Sequence, residues 1–261
     1  MKLTAALITF NEEKKVGDAL RSVAWADEIV VVDSGSTDRT AEIAEAAGAR
    51  VLHRKWTGFS DQKQFATDSA ANDWVLSIDA DERVSEPLRD EIKELLNAGS
   101  RDSTGYTIPR LSFYMGKPIR HSGWYPDRQL RLFDRRKGKW NGRVIHESFE
   151  LRDGMPGDLK SDLHHYSVDD AGHHHRMIGE RYAPLSARQM FNEGRKTSAI
   201  GIAIAGPAAF LRHFILRGGF LDGLPGYAIA KFAAHHAFLK HLMLYEMEHK
   251  AVDAPPSSDN L

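Results

Sequence analysis

Along the first hundred or so residues, short apolar runs alternate with runs whose apolar positions recur every three or four residues. Leu3–Thr9 is apolar almost throughout and predicts a strand. Glu12–Ser22 follows, with Val16, Ala19, Leu20 and Val23 on one face, and predicts a helix. Glu28–Val32 is β-branched and apolar, the composition of a strand covered on both faces. Asp33–Asp38 reads as a turn. Thr37 or Asp38 is placed to cap a helix over Arg39–Ala47, which Gly48 ends. A strand at Arg50–His53, a helix at Ser60–Ala71, a strand at Trp74–Asp79 and a helix at Glu86–Asn97, with Pro87 in its first turn, complete the series. Such alternation predicts an α/β fold, a mostly parallel sheet flanked by helices.

From Gly105 the pattern loosens. Gly105–Phe113, Gln129–Asp134 and Arg143–Phe149 read as strands in an Arg-rich region. Helical patterns return over 168–194, 207–217 and 223–248, and the Pro- and Ser-rich end predicts a disordered tail over 251–261. The expected organisation is one α/β domain over 1–165, with halves 1–100 and 101–165, and a helical extension over 166–250.

In open parallel sheets, ligands bind outside the carboxyl ends of the strands. The polar clusters sit at those ends: Thr9/Asn11/Glu12, Asp33/Ser34, and Asp79/Asp81 followed by Glu82. Two carboxylates delivered by a buried strand suit a hard cation, Mg²⁺ or Mn²⁺, bound together with substrate phosphates. There is no G-x-G-x-x-G after the first strand and no P-loop, so phosphates must be held by metal and side chains. Asp33 can accept from a base or ribose, or can cap its own turn.

Composition narrows the partners. The chain has 261 residues, a net charge of −1 and no cysteine, which excludes disulfides and thiolate zinc sites and argues against nucleic acid as a partner. Residues 99–143, however, hold eleven Lys/Arg against three acids, a local balance of +8. That segment suits anions, or is a solvated basic face. The longest uncharged run, Thr197–Leu211, has 15 residues, short of the roughly 20 that span a bilayer. The expectation is therefore that no segment crosses a membrane, and that the N-terminus is a strand, not a signal peptide.

Three stretches in register, Ile8-Thr9-Phe10-Asn11-Glu12-Glu13, Val31-Val32-Asp33-Ser34-Gly35-Ser36-Thr37-Asp38 and Leu76-Ser77-Ile78-Asp79-Ala80-Asp81-Glu82, resemble the nucleotide-sugar-binding GT-A domain of family 2 glycosyltransferases. Arg128–Phe133, Val144-Ile145-His146-Glu147 and Gly219–Gly223 are similar to the bacterial lipopolysaccharide-core β-glycosyltransferase branch. The resemblance implies an inverting hexosyltransferase that binds a nucleotide-sugar donor and a lipid-linked glycan acceptor at the inner face of the cytoplasmic membrane. It places Thr9, Asn11, Glu12 and Asp33 at the nucleotide, Lys63 and Asp79 at the donor, and Asp81, with His165 as a further ligand, on Mg²⁺ or Mn²⁺. Arg128 and Arg131 are candidates for the diphosphate. Glu147 is the expected general base, with Asp127 its rival.

The resemblance leaves two rivals: a polyprenyl-phosphate glycosyltransferase, which needs no base, and a non-catalytic nucleotide-sugar binder. The helices over 200–248 mix Phe, Leu and Ile with Arg and Lys. They suit an anionic membrane surface, packing on the rest of the chain, or contact with another copy of it.

Overall fold

A computed structural model of the chain describes residues 1–99, 103–143 and 147–252. Val144, Ile145 and His146, Arg101 of the basic segment, and the tail beyond 252 lie outside the described residues. Two compact units are present: Met1–Ser112 with Pro126–Ser167, and Phe113–Tyr125 with Val168–Leu261. Segment 113–125, assigned from sequence to the first domain, clusters with the helical part.

In chain order the elements of the first stretch are β1 (Leu3–Thr9), α1 (Val16–Ser22), β2 (Glu28–Asp33), α2 (Thr40–Ala46), β3 (Arg50–His53), α3 (Phe59–Ser69), β4 (Trp74–Asp79), β5 (Glu82–Val84) and α4 (Glu86–Ala98). Then come β6 (Gly105–Tyr114), β7 (Lys117–Pro118), β8 (Asp127–Asp134), β9 (Gly138–Trp140), β10 (Phe149–Leu151), β11 (Gly157–Asp158) and β12 (Leu163–His165). Last are α5 (Ala171–Arg176), a π-helical stretch, α6 (Ala183–Asn192), α7 (Ala199–Leu211) with a π-helical turn at Arg212–Leu216, a 3₁₀ turn, and α8 (Leu224–Val252).

The main sheet of the first unit runs β3-β2-β1-β4-β8-β6-β12-β5. Strands β3, β2, β1 and β4 are parallel, and β8 enters antiparallel between β4 and β6. Side chains alternate across the sheet, which is why both faces are apolar. Leu3, Ala5 and Leu7 of β1 join Leu20 of α1, Ala44 of α2 and Ile92 of α4. Ala6 and Ile8 join Ala66 of α3, Trp140 and Phe149 on the other side. Helix α4 starts as its sequence predicts: the Ser85 hydroxyl accepts from Leu88 N–H at 3.3 Å, with Pro87 in the first turn.

Several predicted bounds shift. Helix α1 begins at Val16 instead of Glu12, because Asn11 adopts a left-handed φ of 53° and the Glu12 carbonyl first closes a turn with Lys15 and Val16. The strand expected over Arg143–Phe149 is not formed at its ends as predicted. Asn141 N–H donates to the Ser148 carbonyl at 3.0 Å, and the pairing of β10 with β9 starts at Phe149, opposite Trp140.

The second unit carries α5–α8 and a short pairing of β7 with the end of β6 around Tyr114, Ile119 and Ile229. Helix α7 begins at Ala199, where the Ser198 hydroxyl accepts from Gly201 N–H at 3.2 Å, and Pro207 lies inside it instead of at its start. A single Arg212 does not end the helical run. Ala199–Leu216 therefore gives 18 residues of mean hydropathy 1.7, of which 6% are buried. By length and composition this run is long enough to cross a membrane, contrary to the expectation from the uncharged run.

Candidate active site

Parallel pairing sets Thr9 of β1 beside Asp33 of β2, so the first two polar clusters meet at one edge of the sheet. The Thr9 side chain is buried, and its Oγ1 has no hydrogen-bond partner among the described residues. Asn11 ties the two strand-end loops together: its N–H donates to Ser36 Oγ at 2.9 Å and its Oδ1 accepts from Thr37 N–H at 2.8 Å. Glu12 N–H donates to Thr40 Oγ1 at 2.8 Å. Asp33 is buried and accepts from the N–H groups of Gly35 and Ser36, each at 3.0 Å. It does cap its own turn, which needs Gly35 because φ there is 93°. His53 Nδ1 lies 3.3 Å from the same carboxylate.

At the end of β4 a second cluster forms. Asp79 is held by Lys63 Nζ at 2.9 Å and by Arg131 Nη2 at 2.7 Å. Burial disfavours its charge, but Arg131 and Lys63 outweigh this and hold the carboxyl far below the usual carboxylate range. Lys63 is itself buried and reaches Glu147 at 3.2 Å. One ammonium thus lies between a strand-end carboxylate and a carboxylate from the β9–β10 connection.

Glu82 is fully buried, with no sequence signal beyond its place after Asp81. It accepts from Asp79 N–H at 2.9 Å, from Arg131 at 2.8 Å and from Arg110 at 3.2 Å. These bonds pin the turn between β4 and β5. Arg131 reaches them through a β-bulge: Thr107 pairs with Leu130 and Tyr106 with Leu132, so Arg131 has no opposite number in β6. Its guanidinium is committed to two carboxylates in this structure. Arg128 is committed elsewhere, to Asp158, Thr107 Oγ1 and the Leu159 carbonyl at 3.1–3.2 Å. Asp127 takes Arg110 Nε at 2.9 Å and Gln129 at 2.7 Å. Burial opposes its charge, yet Arg110 and those hydrogen bonds hold it below its ordinary value, which makes it a weaker base.

Strand β12, absent from the sequence reading, pairs with β5 and β6 and sets His165 opposite Glu82 and Ser112. His165 Nε2 stands 3.5 Å from Asp81 Oδ2, while its Nδ1 is 3.1 Å from Ser112 Oγ. Among the described residues no three acidic or histidine side chains converge as a ready-made cation site. Asp81 and His165 form a set of two, an oxygen donor and an imidazole whose far nitrogen is anchored. That fits Mg²⁺ or Mn²⁺ completed by substrate phosphates. The run of three consecutive histidines, His173, His174 and His175, belongs to α5 in the second unit.

Comparison with known proteins adds the family. Residues 4–152 match the Glycosyl transferase family 2 domain. The chain is 31% identical to the lipopolysaccharide core biosynthesis glycosyltransferase LpsC of Rhizobium meliloti, over 100% of this chain and 97% of that protein. It is 30% identical to an uncharacterized glycosyltransferase of Rickettsia bellii, over 99% of this chain and 91% of that one. Among solved structures, it is similar to S. aureus TarS 1-349, with a TM-score of 0.48 and 14% identity, over 96% of this chain and 92% of that one. The crystal structure of glucosyl-3-phosphoglycerate synthase from Mycobacterium tuberculosis with Mn²⁺ and UDP matches 44% of each chain, at 27% identity and a TM-score of 0.35. With its family-matched α/β half and a relative of that kind along its full length, the chain belongs to glycosyltransferase family 2, and it has that family's GT-A fold.

Proposed function

We propose that this glycosyltransferase moves a hexose from a nucleoside-diphosphate sugar, with UDP the expected nucleotide, onto a lipid-linked glycan such as a lipopolysaccharide inner core. Transfer inverts the anomeric carbon, and the protein works as a peripheral protein at the inner face of the cytoplasmic membrane. The observation that carries the chemistry is the Lys63 bridge, 2.9 Å to Asp79 and 3.2 Å to Glu147. It sets the donor-side strand end and a second, partly exposed carboxylate around one buried cation.

In this reading Thr9, Asn11 and Asp33 line the nucleotide side. Glu147 takes the proton of the acceptor hydroxyl as that oxygen attacks the anomeric carbon. A sugar hydroxyl is a poor nucleophile, and such general-base help is worth about 10²–10⁴ in rate. Lys63 fixes the direction of Glu147, and Arg131 with Glu82 fixes the backbone that carries Asp79 and Asp81. Asp81 and His165 would hold Mg²⁺ or Mn²⁺, which when bound supplies charge neutralisation for the leaving diphosphate. The full-length similarity to a lipopolysaccharide core enzyme supports the acceptor class.

A thermal-shift panel of nucleotide sugars, with and without Mn²⁺, tests donor and metal together. Wild-type protein should be stabilised by one UDP-sugar only when Mn²⁺ or Mg²⁺ is present, and Asp81→Ala should lose that dependence. Equal stabilisation in EDTA would remove the metal from the reading.

A further inference from the structure

Helix α7 turns an apolar face outward. Ile200, Ile204 and Leu211 recur at i, i+4 and i+11, the period of one helix face. They are 73%, 59% and 56% exposed. Ala203, Pro207 and Ala208 lie exposed between them, and Ile215 and Leu216 continue the run through the π-helical turn. The opposite side is fixed: a Cβ on Gly206 would stand 3.3 Å from the Ala234 carbonyl of α8, so the two helices touch at the backbone there. Beside this contact an open groove of about 580 Å³ is walled by Ile202, Phe210, Ala234 and Phe238, with Lys231 at its edge. Soluble surfaces rarely carry so long an apolar stripe unless it meets a partner.

Charge identifies the partner. Between residues 195 and 231 the cations are Arg195, Lys196, Arg212, Arg217 and Lys231, and the one acid is Asp222. That acid is buried and bound to His121 at 2.9 Å. An apolar stripe with cations at both ends matches an anionic phospholipid surface. Length and hydropathy alone would also permit a span. Helix α8 argues against one: it packs along α7 and carries Lys231, His235, His236, Lys240 and His241, and a spanning α7 would draw these into hydrocarbon.

We propose that α7 is the element that docks on the bilayer. It lies in the membrane plane, with Ile200, Ile204, Leu211 and Ile215 below the headgroups and Lys196 and Arg212 at phosphate level. This deepens the proposed function by naming what holds the enzyme beside a lipid-linked acceptor. It rests on that reading only for the acceptor, because empty vesicles test it without any sugar chemistry.

The test is co-sedimentation of the full chain with vesicles of phosphatidylcholine alone and of phosphatidylcholine with phosphatidylglycerol. Wild-type protein should pellet with the anionic vesicles and be released in part by molar salt. Ile204→Asp with Leu211→Asp should weaken this by on the order of tenfold or more. Arg212→Gln should weaken it about fivefold. Both variants should keep the wild-type circular dichroism and the wild-type nucleotide-sugar thermal shift. No binding to anionic vesicles, equal binding to neutral ones, or unchanged binding by the double variant would overturn the proposal. So would a wild-type dimer in solution that the double variant breaks, since the face would then belong to a second copy of the chain.

Discussion

Replacing Arg131 by Met removes the cation that joins Asp79 to Glu82 while keeping the volume of its stem. Arg131 is 4% exposed and Glu82 0% exposed, so water cannot take over the lost contacts at Glu82. Breaking a buried ion pair from one side costs about 3–5 kcal/mol, because a charge is left uncompensated. Here the loss belongs at the lower end. Glu82 keeps Arg110 at 3.2 Å and the Asp79 N–H at 2.9 Å, and Asp79 keeps Lys63 at 2.9 Å. We therefore expect a loss of about 3 kcal/mol for Arg131→Met. Adding Glu82→Gln should restore at least ~1 kcal/mol, since the stranded charge is then gone and the amide oxygen can still accept from Asp79 N–H. Urea unfolding followed by tryptophan fluorescence in a Trp124→Phe background reports the first unit alone, because Trp25, Trp56, Trp74 and Trp140 all lie in it. A loss under ~1 kcal/mol, or a double variant less stable than the single one, would refute the view that this pair is held together by charge balance.

Three further outcomes follow from the same geometry. Glu147→Gln should leave the donor KM within a few-fold and lower kcat by about 10²-fold or more; if Asp127→Asn does this and Glu147→Gln does not, in steady-state transfer assays, the base is misassigned. His174 is buried against Tyr114, Trp124 and Phe232, and burial, then the charge of His173, push its pKa down from 6.5 to about 4. The unfolded chain then takes up the proton first, so about 3 kcal/mol of stability present above pH ~6.5 should disappear as pH falls to ~4. Chemical unfolding across that range should show a flatter profile for His174→Phe, and an unchanged profile would remove His174 as the cause. A methyl group on Gly138 would collide with the Glu150 carbonyl and the Phe149 ring across the β9–β10 pair; Gly138→Ala should cost about 1–3 kcal/mol by urea midpoint, and a neutral result would show that the hairpin yields.

The half of the fold that could be read in advance is the half whose signals are local. Strands β1, β2 and β4 are covered on both faces, so each appears as an unbroken apolar run with a polar residue where it emerges. Strands β5 and β12 are three residues long and contain Glu-Arg-Val and Leu-His-His. No periodicity can develop in that span. They are strands because β6 and each other supply the hydrogen bonds, and β12 is the strand that brings His165 to Asp81. The start of α7 was hidden for a different reason. Its first residues are Ala, Ile and Gly, which leave no polar face to mark a period, and Pro207 imitates a helix start.

The candidate site divides along the same line. Asp79 and Asp81 are announced by the strand they end, but what they can do depends on residues that only topology supplies. Lys63 is 16 positions from Asp79, Arg131 is 52, and Glu147 is 84 positions from Lys63. Read along the chain, Arg131 is one cation in a basic segment and looks available for a diphosphate. Folded, a one-residue bulge turns it into the buried counter-ion of Asp79 and Glu82, and the same segment's Arg110 takes Asp127. Several of the cations behind the +8 balance are thus internal partners of carboxylates instead of a free anion-binding surface. A strand-end acid cluster of this density needs them, because Asp79, Asp81, Glu82, Asp127 and Glu147 gather like charges that repel one another. Arg110, Arg131 and Lys63 absorb that repulsion at Glu82, Asp79 and Asp127. Asp81 and Glu147 are the two carboxylates that neither arginine touches.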